Sequence, residues 1–114
     1  MSVSFQDVGA NLRSITISGR LDIEGADSMS ARLMELVGEP KKGVVVDLSA
    51  VRFLASVGIR SLVASAKLVQ QRSGKLVLVV APGSSVAMSL EATGIDEFIP
   101  VFTNSADAEA AALA

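Results

Sequence analysis

Histidine, cysteine, tryptophan and tyrosine are all missing from this chain of 114 residues. Without histidine or cysteine there can be no Ser-His-Asp triad, no thiolate nucleophile and no zinc site built from imidazole or thiolate. The lack of cysteine also rules out a disulfide framework, which fits a reducing compartment. Four phenylalanines are the only aromatic residues, too few for the base-stacking platforms of RNA and single-strand binders. Any catalysis would have to rest on Asp, Glu, Lys, Ser or Thr.

A long apolar run is missing too. Leu76 to Ala81 is the longest, far short of the roughly 20 residues a membrane-spanning helix needs. The N-terminal stretch shows no charged region followed by an apolar one, as a secretory signal would. The expectation is a cytoplasmic protein with no membrane partner. Nor is there an excess of one charge: ten basic residues face twelve acidic ones, for a net charge of -2. Arg13, Arg20, Arg32, Arg52, Arg60 and Arg72 are scattered, and the one adjacent basic pair, Lys41 and Lys42, falls in a Pro-containing turn. This is not the footprint of a protein that grips nucleic-acid phosphates.

What is present is a chain that is half apolar, long enough for one domain spanning residues 1–114 with a core of Val, Ile and Leu. Val3 and Phe5 alternate with polar neighbours, Gly9, Ala10 and Asn11 supply a turn, and Ile15, Ile17 and Leu21 resume a period of two. That pattern predicts an antiparallel hairpin. Met29, Leu33, Leu36 and Val37 then recur at helical spacing, with Gly38 as a stop and Pro40 beyond it. "GVVVDLS" (Gly43 to Ser49) and "KLVLVVA" (Lys75 to Ala81) are β-branched apolar runs of the kind found in strands buried on both faces, the first running out through Phe53 and Leu54. Between them Ile59, Leu62, Val63, Ala66 and Val69 form one helical stripe, so strand, helix and strand make a right-handed crossover with parallel strands. A third helix carries Val86, Ala87 and Leu90 and ends at Gly94 in a left-handed cap, with Ile95 folding back onto its last turn. "FIPVF" (Phe98 to Phe102) reads as a short edge strand, since Pro100 cannot donate to a ladder. A last helix follows, capped by Asn104 or Ser105. The predicted class is α/β: a mixed sheet of about five strands with about four helices packed mainly on one side.

The residue that stands out is Ser56, beside Gly58 at the junction of strand and helix. A serine just before an amphipathic run is a preferred helix cap, its oxygen accepting a backbone N–H two or three residues on, worth about 1 kcal/mol. No capping box accompanies it, because Ile59 stands where Glu or Gln would reach back. The same geometry also suits modification. A phosphate at this position would face unpaired N–H groups and the positive end of the helix dipole, so the fold would tolerate it while a partner docked over it would not.

In order and spacing, "GRLDIEGADSMSARL", "GVVVDLSAVRFLASVGIRSLVASAK", "KLVLVVAPGSSVAMSLEATGIDEFIPVF" and the terminal helix together resemble the STAS domain family, and within it the bacterial anti-sigma factor antagonists of partner-switching systems. The resemblance spans nearly the whole chain. It implies a STAS-like fold and a non-enzymatic regulator of transcription whose unphosphorylated form binds a serine-kinase anti-sigma factor and frees the sigma factor. It implies further that the kinase phosphorylates the serine ahead of the second helix, here Ser56, and that a metal-dependent serine phosphatase reverses the step. Asp22 of "GRLD" matches an acidic residue that the family uses for recognition near that serine. The docking surface so implied comprises Asp22, Ala55, Ser56, Val57, Gly58, Arg60 and Ser61, with no cofactor or metal, on a monomer or weak dimer. The chain departs from the family pattern at two places: Ala55 replaces the acid before the acceptor, and Val57 replaces a second hydroxyl residue.

Simpler roles stand beside these. Asp22 could cap the turn into the first helix, Gly58 could merely be tolerated in a first turn, and Arg60, Ser61 and Lys67 could be solvated residues of an amphipathic helix. Three other classes are weaker. A phosphoaspartate receiver centred on Asp47 lacks the further carboxylates that would hold magnesium. "APGSS" is not a phosphate loop, which argues against a transferase. A STAS module working without phosphorylation, as a scaffold in another signalling or lipid-transport assembly, is the remaining alternative.

Overall fold

The computed structural model describes residues 2–39 and 41–114, and Pro40, expected just past the first helix, lies outside them. The predicted hairpin is formed by β1 (Ser2–Val8) and β2 (Leu12–Leu21), with Gly9 at positive φ in the turn. There follow α1 (Ile23–Val37), β3 (Gly43–Leu54), α2 (Ser56–Gln71), β4 (Lys75–Val79), α3 (Ser85–Thr93), α4 (Ile95–Phe98), β5 (Val101–Phe102) and α5 (Ser105–Leu113). The strands lie in the order β1-β2-β3-β4-β5, with β1 antiparallel to β2 and every later neighbour parallel. This is the mixed sheet the sequence implies, since each parallel step is crossed by a helix.

Alternation along the strands sends side chains to two cores. Ile15, Ile17, Val44, Val46, Leu76 and Leu78 meet α1, α2 and α3 on one face through Met29, Leu33, Leu62, Ala66, Val86 and Leu90. On the other face Leu12, Val45, Val77 and Val79 meet Ala108 and Ala112 of α5. Gly43 permits that approach, because a Cβ there would stand 2.7 Å from the Ala112 carbonyl oxygen. Among the described residues no helix is long and apolar enough to cross a membrane.

The stretch Phe98 to Phe102 departs from expectation. Only Val101 and Phe102 pair with β4, while Ile95–Phe98 forms a helical turn. Gly94 at φ 74 restarts the chain after α3, and the Ile99 N–H donates to the Ile95 carbonyl at 2.8 Å, so both isoleucines are buried on one side of a turn. Burial at i and i+4 outweighs the β propensity of a short aromatic run.

The C-terminus of α1 has no basic residue in its last turn and is closed by two arginines from other elements. Arg13 of β2, 2% exposed, donates from Nη1 to the Leu36 carbonyl at 2.9 Å. Its other nitrogens reach Asp7 at 2.7 and 3.0 Å and Glu39 at 2.9 Å, and its guanidinium lies 4.4 Å from the Phe5 ring centroid. Arg72, at the end of α2, donates to the carbonyls of Val37 and Lys41. Two guanidinium groups thus satisfy carbonyls that the helix itself leaves unpaired.

Candidate functional site

The site lies where β2 and β3 end side by side. Leu21 is the register partner of Leu54, and the Ala55 N–H donates to the Leu21 carbonyl at 2.9 Å. One residue past this bond on each chain stand Asp22 and Ser56, both exposed.

Ser56 does not cap α2. The helix starts at Ser56 itself, one residue earlier than a Ser56 cap implies, and Ala55 is its N-cap, with extended φ and ψ and no side-chain cap bond. The reason is the Leu21 bond, which holds Ala55 in an extended conformation so that its own carbonyl accepts the N–H groups of Gly58 at 2.9 Å and Ile59 at 3.2 Å. Ser56 therefore occupies the first helical position, its side chain bonded to nothing among the described residues. The N–H groups of Ser56 and Val57 precede the first bonded turn and have no acceptor among the described residues.

Asp22 is the N-cap of α1, its Oδ1 accepting the Gly25 N–H at 3.0 Å. Its place in the loop is therefore set by a cap, while the carboxylate stays exposed and makes no ion pair among the described residues. The cap requires a glycine at position 25, where a Cβ would meet the Arg20 carbonyl oxygen at 2.6 Å and Asp22 Oδ1 at 3.3 Å.

The remaining candidates divide by burial. Arg60 is exposed, and Ala55 and Val57 are half-buried around Ser56. Gly58 and Ser61 face inward. A Cβ on Gly58 would lie 2.7 Å from Leu54 Cδ1, and the Ser61 hydroxyl donates back to the Val57 carbonyl at 3.2 Å. These two residues shape the first turns of α2 from within. Beyond the sequence-based set, Phe53 is 40% exposed near the end of β3, and its register partner Arg20 holds its guanidinium 4.9 Å from the Phe53 ring centroid. Only the β2–β3 register could have revealed that pairing, because a strand pattern alone does not say which residues stand opposite.

Asp47, the centre of the receiver alternative, is half-buried and accepts the Ser49 N–H at 2.9 Å beside a bulge between β2 and β3. The strand continues past Asp47 to Leu54, as its run through Phe53 and Leu54 in the sequence implies. No group of three or more acidic residues suited to a metal ion occurs among the described residues. The arrangement at the β3–α2 junction thus offers a solvent-facing hydroxyl on a helix N-terminus, flanked in the chain by two half-buried apolar residues, with an exposed carboxylate on the neighbouring loop.

Residues 7–108 match the STAS domain family. The chain is 34% identical over 94 residues to the anti-sigma-F factor antagonist RsfB of Mycobacterium tuberculosis, covering 82% of this chain and 75% of that protein. The fold is similar to an anti-sigma factor antagonist from Mycobacterium paratuberculosis, with a TM-score of 0.89, 25% identity and coverage of 99% of this chain and 94% of that one. It is also similar to the Bacillus cell fate determinant SpoIIAA in its phosphorylated form, with a TM-score of 0.67, 13% identity and coverage of 90% and 93%; at that identity the likeness speaks for the fold.

Proposed function

The chain belongs to the STAS domain family, and from that premise we propose that it is an anti-sigma factor antagonist switched by phosphorylation of Ser56. The unphosphorylated protein binds a serine-kinase anti-sigma factor and releases the sigma factor that the kinase had held. The kinase transfers the γ-phosphoryl group of ATP to the Ser56 oxygen, with loss of the hydroxyl proton and release of ADP, and the complex dissociates. A metal-dependent serine phosphatase restores the hydroxyl. The protein acts as substrate and ligand, not as the enzyme.

The observation that carries this reading is the exposed Ser56 hydroxyl at the first position of α2, next to two backbone N–H groups without an acceptor among the described residues. A phosphoserine there adds roughly 1.5 to 2 negative charges within reach of those donors and of the positive helix end, so the scaffold accommodates it. The partner cannot do so as easily. Ala55 and Val57 give Ser56 apolar neighbours on both sides in the chain, and a protein packed over them would exclude water from three phosphate oxygens. Asp22 supports the reading as well, offering a fixed carboxylate to a cationic group of the partner and adding repulsion once a phosphate appears beside it.

The test is mass spectrometry after incubation with a cognate anti-sigma factor kinase and ATP. Wild type should gain one phosphate and Ser56→Ala none. A phosphate on another residue, or none on wild type that binds the kinase, overturns the proposal.

A further inference from the structure

The sheet ends in two unlike edges. At one, β5 contributes only Val101 and Phe102 with Pro100 just before them, so little backbone is open to another strand. At the other, β1 runs seven residues from Ser2 to Val8, is paired with β2 in one unbroken register, and among the described residues has no partner on its outer side. The usual devices that protect an edge are absent from it: it contains no proline or lysine and has no bulge. Every residue of β1 but Val3 is exposed, and its one charge, Asp7, is already held by Arg13.

We propose that β1 is a self-association edge, where a second copy of this chain adds antiparallel across a two-fold axis to give a continuous ten-stranded sheet. The choice of a second copy follows from the self-complementarity of the strand. A two-fold axis perpendicular to the sheet keeps each face on its own side, so residues of like parity stand opposite. Pairing the full length of β1 centres the axis on Phe5. Val3 then lies opposite Asp7, Ser4 opposite Gln6 and Ser2 opposite Val8, and the two half-exposed Phe5 rings meet on the face that carries α1. Like charges never oppose each other. The two Asp7 carboxylates fall four residues apart along the paired strands, about 14 Å at the rise of a β-strand, beyond the Debye length at physiological salt. Ser4 and Gln6 form the polar cross-strand contacts on the opposite face. Ser56 opens α2 after β3, two strands in from the β1 edge, so the association is independent of the phosphorylation state.

Sedimentation equilibrium on the full chain, at concentrations up to about 1 mM, reads the association expected of an interface at the small end of the size range. Wild type and Ser56→Ala should dimerise with equal constants. The double variant Ser4→Lys, Gln6→Lys sets lysines face to face twice across the axis and should be at least about tenfold weaker, with an unchanged circular dichroism spectrum. Ser4→Lys, Gln6→Glu sets opposite charges at the same positions and should restore or exceed the wild-type constant. A wild type that stays monomeric throughout, a double-lysine variant that dimerises like wild type, or a charge-paired variant that fails to recover would each overturn the proposal.

Discussion

The Ala55 N–H and the Leu21 carbonyl are joined by a 2.9 Å hydrogen bond that ties together the ends of β2 and β3 and sets the first residue of α2. By holding Ala55 extended, this bond leaves Ser56 free of a capping duty and turns its hydroxyl to solvent. The same bond brings the loop containing Asp22 beside it. A single backbone contact therefore assembles the two polar side chains of the candidate switch.

Because Ser56 makes no contact that the fold needs, its substitutions should separate binding from folding. Ser56→Ala should melt like wild type and bind the anti-sigma factor whether or not ATP is present. Ser56→Asp should also fold, its charge favoured at a helix N-terminus by about 0.3–1 kcal/mol, yet bind the partner at least about a hundredfold more weakly, as expected for a charge desolvated against an apolar contact. Isothermal titration of both variants decides the matter, and equal affinities would sink the switch.

Asp22 carries two duties that different substitutions can part. Asn is as good a helix cap as Asp, so Asp22→Asn should keep stability within about 0.5 kcal/mol of wild type, whereas Asp22→Ala should lose about 1 kcal/mol with the Gly25 N–H bond. Both remove the carboxylate. If that carboxylate meets a cation on the anti-sigma factor, both weaken binding by at least about tenfold, in line with the worth of a charged hydrogen bond. A variant Asp22→Asn that binds like wild type would reduce the residue to a cap.

The sheet, the crossover and the two long core helices are legible in the sequence because each rests on local periodicity: Val44 to Val46 and Leu76 to Val80 as unbroken apolar runs, Leu33 to Val37 and Leu62 to Val69 as helical stripes. The candidate serine is legible for the same reason, lying at a break between two such patterns. What escapes is set by contacts distant in sequence. Ser56 reads as the cap because serine is the preferred capping residue, but the carbonyl of Leu21 moves the helix start so that Ala55 takes that place. Arg13 looks like one more scattered arginine, and its burial follows from partners on β1, α1 and the segment after α1. The pairing of Arg20 with Phe53 depends on a bulged register that no periodicity encodes.

Gly25 and Gly58 should respond differently to an added methyl group. At Gly25 the obstacle is the Arg20 backbone carbonyl at 2.6 Å, which cannot move without disturbing β2, so Gly25→Ala should cost about 1–3 kcal/mol despite the better helix propensity of alanine. At Gly58 the obstacle is the end of the Leu54 side chain at 2.7 Å. That methyl can rotate aside, and alanine gains up to about 1 kcal/mol in helix propensity, so Gly58→Ala should stay within about 1 kcal/mol of wild type. Urea denaturation of the two variants compares them directly. A Gly58→Ala variant less stable than Gly25→Ala would mean that Leu54 is locked in place.

Acid should reveal the clamp between β1 and β2. The Arg13 guanidinium, first by its hydrogen bonds and then by its charge, holds the Asp7 carboxyl below its ordinary value of 3.8, with Lys41 adding to the effect and partial desolvation opposing it. A carboxylate whose pKa is lower in the folded state stabilises the fold at any pH above its unfolded value and loses that contribution as pH falls through the folded value. Arginine keeps its charge throughout this range, so the titration belongs to the aspartate. The stability difference between wild type and Asp7→Asn should therefore be full and constant above about pH 5 and shrink steadily below about pH 4 as the wild-type carboxylate takes up its proton. Thermal melts of the two proteins across that range measure it. A difference that persists undiminished at the lowest pH would place the contribution of Asp7 in its packing against Arg13 and not in its charge.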